Sequence, residues 1–272
     1  MVVPSSRKSP PPPRPRTVAS DTEQIAAVAA RLRAGWSTQA ALPAVSPPTL
    51  RGILQKAERL GFGTRETVAA AATATAIAAL ALADARDPDR VAPVFILAGD
   101  GGDAAPAIEA ADEIAAAGRP VIVALCSSRA RPGHAAAAAA WDRLESRAGV
   151  QRFRIPDARE AAHFRAGIER VALLVEALGG DDVARALPAP LEAAVDLVRR
   201  ARRVAVPCLA IEGPVGFDAE RGLRRRGAPG ADLSLVFHRA LDAHRLPAAR
   251  ALIGELVVAP LGLPVQADPA AR

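Results

Sequence analysis

Residues 206–222 read VPCLAIEGPVGFDAERG. A short apolar run ends on a carboxylate, Glu212, and breaks at once into Gly213-Pro214 and a turn through Gly216 to Asp218. Short apolar runs closed by turn residues are what a strand buried on both faces requires, and such strands belong to parallel sheets covered by helices. In an open parallel sheet, ligands bind beyond the carboxyl ends of the strands. An acid placed there points into the site.

Outward from this stretch the pattern repeats. Strand candidates cover residues 93–98, 120–125, 150–154, 170–176, 204–211, 233–237 and 255–258, and helical stretches at 104–117, 134–147 and 190–203 lie between them. The alternation predicts an α/β fold with a doubly wound, mostly parallel sheet. Upstream, residues 68–83 are apolar and alanine-rich, interrupted by Thr73 and Thr75, and shorter than the roughly 20 residues of a membrane span, so they read as a helix buried against the sheet. Residues 1–19, MVVPSSRKSPPPPRPRTVA, are proline-rich and predict a disordered or polyproline tail. Ser20 to Glu23 has capping-box spacing, and Ile25, Val28, Ala29 and Leu32 follow at helical intervals, so a short helix should run to about Arg33. After a second break at residues 43–48, the stripe Leu50, Ile53, Leu54, Ala57 and Leu60 predicts another helix, closed by Gly61. The division expected is a Pro-rich basic tail with a short helix, largely disordered, over 1–44, a folded domain over 45–265 and a tail over 266–272.

Half of the 272 residues are hydrophobic, enough for a sizeable core. The net charge of +6 permits contact with nucleic acid, but the absence of tyrosine and an aromatic content of 3% argue against base stacking. The basic residues of the tail (Arg7, Lys8, Arg14, Arg16) and of the run Arg221, Arg224, Arg225 and Arg226 read as solvated surface. No apolar leader precedes the proline run, so a cytoplasmic protein is expected, without membrane or nucleic-acid partners. Cys126 and Cys208 form no C-x-x-C pair and read as buried thiols; His134, His163, His238 and His244 lack metal-ligand spacing and read as structural or surface residues.

Four acids end strand candidates: Asp100 and Asp103 after the first, Glu176 closing the fourth, Glu212 just past the fifth. Parallel strands bring their carboxyl ends to one edge, so these acids can converge although they are far apart in sequence. In the loop Gly99-Asp100-Gly101-Gly102-Asp103, glycines precede a helix, where bare N–H groups and the helix N-terminus suit a phosphate.

The stretch 206–222 resembles PVLAVDIPSGLDADTG, the signature of the YjeF N-terminal family, the NAD(P)H-hydrate epimerases. The likeness continues in order: GDGGDA beside the family's NNGGDG, VEALGGDDVARALPAP beside VDALFGTGLSRPLRGP, ADLSLVF beside ADLTVTF, and GELVVAPLGLP beside GEVVVADIGIP. The resemblance implies a Rossmann-like three-layer domain, frequently dimeric, that interconverts the R and S forms of the hydrated cofactors NADHX and NADPHX. A dehydratase acting downstream would be a separate protein. By position, the dinucleotide would meet Gly99, Asp100, Gly101, Gly102, Asp103, Gly180, Arg185 and Glu212, with Glu176 or Glu212 moving protons. A potassium ion would lie near Asp100, Glu176 and Val215.

The chain also departs from the family pattern at these places. Asp100 stands for an asparagine, Glu176 and Glu212 for aspartates, and Val215 for a serine, which removes a side-chain oxygen. Of the G-T-G turn only Gly180 remains, followed by Asp181 and Asp182. Two readings follow: an epimerase, or a non-catalytic nucleotide- or partner-binding module on the same scaffold, as in the similar domain of messenger-RNA decapping scaffolds.

Overall fold

A computed structural model describes residues 18–179 and 186–271. Helices come first: α1 (Val18–Gly35), α2 (Ser37–Ala41), α3 (Pro47–Arg59) and α4 (Thr64–Arg86). Strands and helices then alternate as β1 (Val94–Ala98), α5 (Ala104–Ala116), β2 (Val121–Leu125), α6 (Ala135–Arg143), β3 (Val150–Arg154), α7 (Ala158–Ala162), β4 (Leu173–Ala177) and α8 (Ala189–Arg203). The chain closes with β5 (Cys208–Ile211), β6 (Phe217–Asp218), β7 (Leu223–Arg224), β8 (Leu233–Phe237), α9 (Pro247–Ile253) and β9 (Glu255–Ala259).

Seven strands form one sheet in the order β3-β2-β1-β4-β5-β8-β9, and every neighbouring pair is parallel. From β1 the chain winds outward through β2 to β3, then returns and winds the other way from β4. The order therefore reverses between β1 and β4, which opens a crevice beyond their carboxyl ends. Helices cover both faces. On one, α1, α4, α5 and α6 bury Val94, Ile96, Leu173, Val175, Leu209 and Ile211. On the other, α7 and α8 bury Phe95, Leu97, Leu174, Cys208 and Ala210. The two lists alternate along each strand because successive side chains of a strand point to opposite faces. This is the three-layer α/β fold expected from the alternation. By length and composition α4 could cross a membrane, but its Ala71, Ala72, Ala78, Ala79 and Leu82 are buried in the core, where small side chains let it lie close to the sheet and α5.

Both ends of the domain differ from the expected division. The helix assigned to the N-terminal tail is α1, and its Ile25, Val28, Ala29 and Leu32 lie in the main core. Its Arg33 also covers the edge strand β9, donating Nε–H to the Leu256 carbonyl at 2.9 Å and pairing with Glu255. The apolar stripe needs a partner surface, and an uncovered sheet edge supplies one. At the C-terminus, residue 268 is no tail residue. The Asp268 carboxylate takes Nε–H and Nη2–H of Arg239 at 2.7 and 2.9 Å and meets His238 Nε2 at 2.9 Å. Arg239 is 3% exposed, and a charge so buried requires an opposite one beside it. Gly216 to Asp218, read as a turn, leads into the small β6–β7 hairpin, with Phe217 opposite Arg224.

Candidate functional site

The glycine loop follows β1 at the point where the strand order reverses. Gly99 donates its N–H to the Ala177 carbonyl at 2.8 Å, and a Cβ at Gly99 would lie 2.6 Å from the Leu178 carbonyl oxygen. Only glycine lets the exits of β1 and β4 run this close. A Cβ at Gly102 would meet the His134 ring at 3.3 Å, whereas Gly101 faces open space. Asp103 precedes the first turn of α5, and its Oδ2 lies 3.6 Å from where Gly179, at φ +93°, would carry a Cβ. It thus reaches across the crevice toward β4. Asp100 turns the other way: its Oδ1 accepts the Gly133 N–H at 2.5 Å, and Oδ2 lies 3.6 Å from Arg129 Nε.

Glu176 sits inside β4, between Leu97 of β1 and Ala210 of β5, and is fully buried. Its Oε1 accepts the Val215 N–H, and the Cys208 thiol stands 3.9 Å from Oε2. Burial pushes its pKa up to about 7, against the Val215 N–H, Cys208 and the Arg202 charge, which favour the ion. Burial, and then the neighbouring Glu176 carboxylate, push both Cys208 and Cys126 up, so the two thiols stay protonated.

Glu212 is different. It follows the last residue of β5 in the left-handed region, φ +62°, a conformation that costs a side-chain-bearing residue about 1–3 kcal/mol and persists only when its surroundings hold it. Its N–H donates to the Leu235 carbonyl at 2.8 Å, and its Oε1 accepts the Phe237 N–H at 3.2 Å. The residue stays partly accessible, yet protein crowds its carboxyl. Desolvation first, and the Asp103 charge second, raise it to about 8, against the Phe237 N–H.

The edge thus holds a graded set of acids. Asp103 and Glu212 act on one another across the crevice; Glu176 shares the edge but is sealed beneath the Val215 backbone; Asp100 is tied to the loop after β2. Gly180 and Arg185 lie outside the described residues. One neighbour that sequence reading set down as a structural or surface residue is His244, which follows β8 in a short helical turn, Asp242–Arg245, and packs beside Gly213 and Phe217. Nothing in its local sequence marks it, because folding alone brings it beside Glu212.

A hard cation needs several converging oxygens, and two of the three positions named for potassium have their groups engaged within the protein. Val215 has no side-chain oxygen, and its N–H occupies a Glu176 oxygen; the Asp100 carboxylate is engaged by Gly133 and Arg129. Among the described residues no three His, Cys, Asp or Glu side chains converge as a metal site.

Fold and crevice define a Rossmann-like α/β domain whose binding edge lies where the strand order reverses. The family model described as YjeF-related protein N-terminus matches residues 66–243, more than half of the chain, and the protein belongs to that family. Among curated proteins it is similar to the bifunctional NAD(P)H-hydrate repair enzyme Nnr of Pyrobaculum aerophilum, 32% identical over 96 residues, which cover 35% of this chain and 19% of that enzyme. The enzyme of the same name from Methanothermobacter thermautotrophicus is 31% identical over 96 residues, covering 35% of this chain and 18% of the relative. The match therefore spans about a fifth of these relatives' length. Among solved structures, yeast ynu0, YNL200c, superposes with a TM-score of 0.63 at 16% identity, over 80% of this chain and 87% of that one, a likeness of fold.

Proposed function

We propose that this domain epimerises hydrated nicotinamide dinucleotides, interconverting R and S forms of NADHX and NADPHX. The observation that carries the reading is Glu212, a carboxyl raised to about 8 at the carboxyl end of β5, with Asp103 and the glycine loop across the crevice. Relatives named as NAD(P)H-hydrate repair enzymes support the substrate class. In such a substrate the hydrated ring carbon bears a hydroxyl next to the ring nitrogen. Inversion there requires that C–O bond to break, with the nitrogen lone pair forming an iminium, and water to return from the opposite face. A carboxylic acid on one face protonates the departing hydroxyl, which leaves as water; a carboxylate on the other, the side of Asp103, takes the proton that the returning water releases, and exchange with solvent resets both groups. A group with a pKa near 8 is largely protonated at neutral pH and serves the first step directly. The N-terminus of α5 with Gly101 and Gly102 suits a phosphate of the dinucleotide.

Epimerisation of purified R-NADPHX, followed chromatographically, tests this. Turnover abolished by Glu212→Gln and little changed by potassium is expected, since Val215 offers no side-chain oxygen and the Asp100 carboxylate is already engaged. Turnover that survives Glu212→Gln would remove the proposed acid.

A second reading, a dinucleotide- or partner-binding domain without turnover, is favoured by the sealing of Glu176 beneath Val215. Saturable binding of NADPHX with no change in its R/S ratio would select it.

A further inference from the structure

We propose that His244 is a positioning residue for Glu212: its imidazole, fixed by the Leu241 N–H, presents a buried Nε2–H to the Glu212–Gly213 peptide and holds the left-handed turn that aims the carboxyl. The inference rests on the reading of Glu212 as the proton-moving group. The Leu241 N–H donates to Nδ1 at 3.1 Å, which places the remaining proton on Nε2. Nε2 is buried and makes no hydrogen bond of standard geometry among the described residues, although the Glu212 backbone lies beside the ring. Buried donors are nearly always paired, so one left over demands an explanation. Its surroundings supply one. A Cβ at Gly213, φ +123°, would lie 3.9 Å from Nε2, the Phe217 ring packs against the imidazole at 5.5 Å, and the backbone of Glu212 favours a proton on His244. Burial nevertheless holds His244 down to about 4, so near neutral pH it acts as an uncharged donor. It works through geometry.

The groups facing Glu212 are then Asp103 from the start of α5, the Phe237 N–H from β8, and His244 with Arg245 behind it. Asp103 and burial raise the carboxyl, the Phe237 N–H lowers it, and His244 keeps it in the place where those effects operate. If the turn relaxes, the carboxyl reaches water and its titration falls toward the ordinary glutamate value of about 4.5.

Two substitutions separate the imidazole nitrogens. In His244→Gln the amide nitrogen replaces Nε2 as donor, whereas in His244→Asn the amide oxygen replaces Nδ1 as acceptor of the Leu241 N–H and no donor stands at the place of Nε2. The side-chain carboxyl carbon of Glu212, followed by NMR against pH, should titrate in His244→Gln as in the wild type. In His244→Asn it should fall by about a unit or more, and kcat should fall roughly ten- to a hundredfold with KM little changed. Equal titration of Glu212 in both folded variants would overturn the proposal. So would a wild-type nitrogen spectrum with the proton on Nδ1, a result that needs no variant. If the protein turns over no hydrated dinucleotide, the functional reading fails, while the contrast between the Gln and Asn variants still decides whether His244 positions Glu212.

Discussion

Glu176 and Glu212 carry the same carboxyl group, yet one is closed inside the sheet and the other stands at its edge. An acid whose folded pKa is raised stays protonated when the unfolded chain has already ionised, so stability falls as pH rises through that window. For Glu176 the window runs from the ordinary glutamate value, about 4.5, to about 7. Replacing it by glutamine keeps an oxygen for the Val215 N–H and removes the titration. Urea denaturation at about pH 5 and about pH 8 should show the wild type losing up to about 3 kcal/mol more than Glu176→Gln. An identical loss in both proteins would mean that Glu176 ionises freely. His244 has the opposite sign: held neutral down to about 4, it contributes stability that is lost as pH falls from 6.5 through 4. Gly99 supplies a second test at this scale. Its Cβ would meet backbone, the Leu178 carbonyl oxygen at 2.6 Å, which cannot rotate away. Gly99→Ala should cost about 1–3 kcal/mol and disturb the crevice, read as a lowered urea midpoint.

At the scale of elements, α1 carries the main departure from the sequence-based division. Its stripe of Ile25, Val28, Ala29 and Leu32 was legible as a helix, but periodicity reports only that one face is apolar, and the surface that covers it comes from α4 and β9. Leu32→Ala should destabilise the whole sheet domain by about 2–4 kcal/mol, as a core deletion does. A chain begun at residue 45 should expose the edge of β9 and accumulate poorly as folded protein. If that shorter chain unfolds at the same urea concentration as the full one, α1 is an appendage after all. The β6–β7 hairpin and α9 escaped sequence reading for a related reason: two-residue strands and a seven-residue helix are too short for a hydrophobic period to show.

Across the whole molecule, the carboxyl edge is closed from three directions. Arg239, just past β8, holds Asp268 near the C-terminus and donates to the Pro43 carbonyl at 3.0 Å, while residue 45 bridges to residue 241. Arg239 hydrogen bonds and charge hold the Asp268 carboxyl below the usual carboxylate range, and burial holds His238 below the usual histidine range. Asp268→Ala leaves Arg239 buried without its counter-charge and should cost roughly 3–5 kcal/mol. A chain ended after Pro264 should lose about as much. Calorimetry checks both, and an Asp268→Ala protein that melts like the wild type would show that the network contributes nothing net.

The order of strands and helices, the double winding and the acids at strand ends were all written in the sequence, because burial on two faces imposes apolar runs and loop chemistry imposes glycine and aspartate between them. Tertiary structure alone decided how the four acids differ. Glu176 and Glu212 are alike in sequence, each closing an apolar run, but one lies under a neighbouring backbone and the other turns, through a left-handed residue, onto the N–H of a strand formed later in the chain. Desolvation and the field of distant charges are properties of packing, and no local pattern encodes them. The same holds for His244, Arg239 and Asp268. Each is an ordinary surface residue type in sequence, and each becomes a buried polar group only when the sheet edge closes around it.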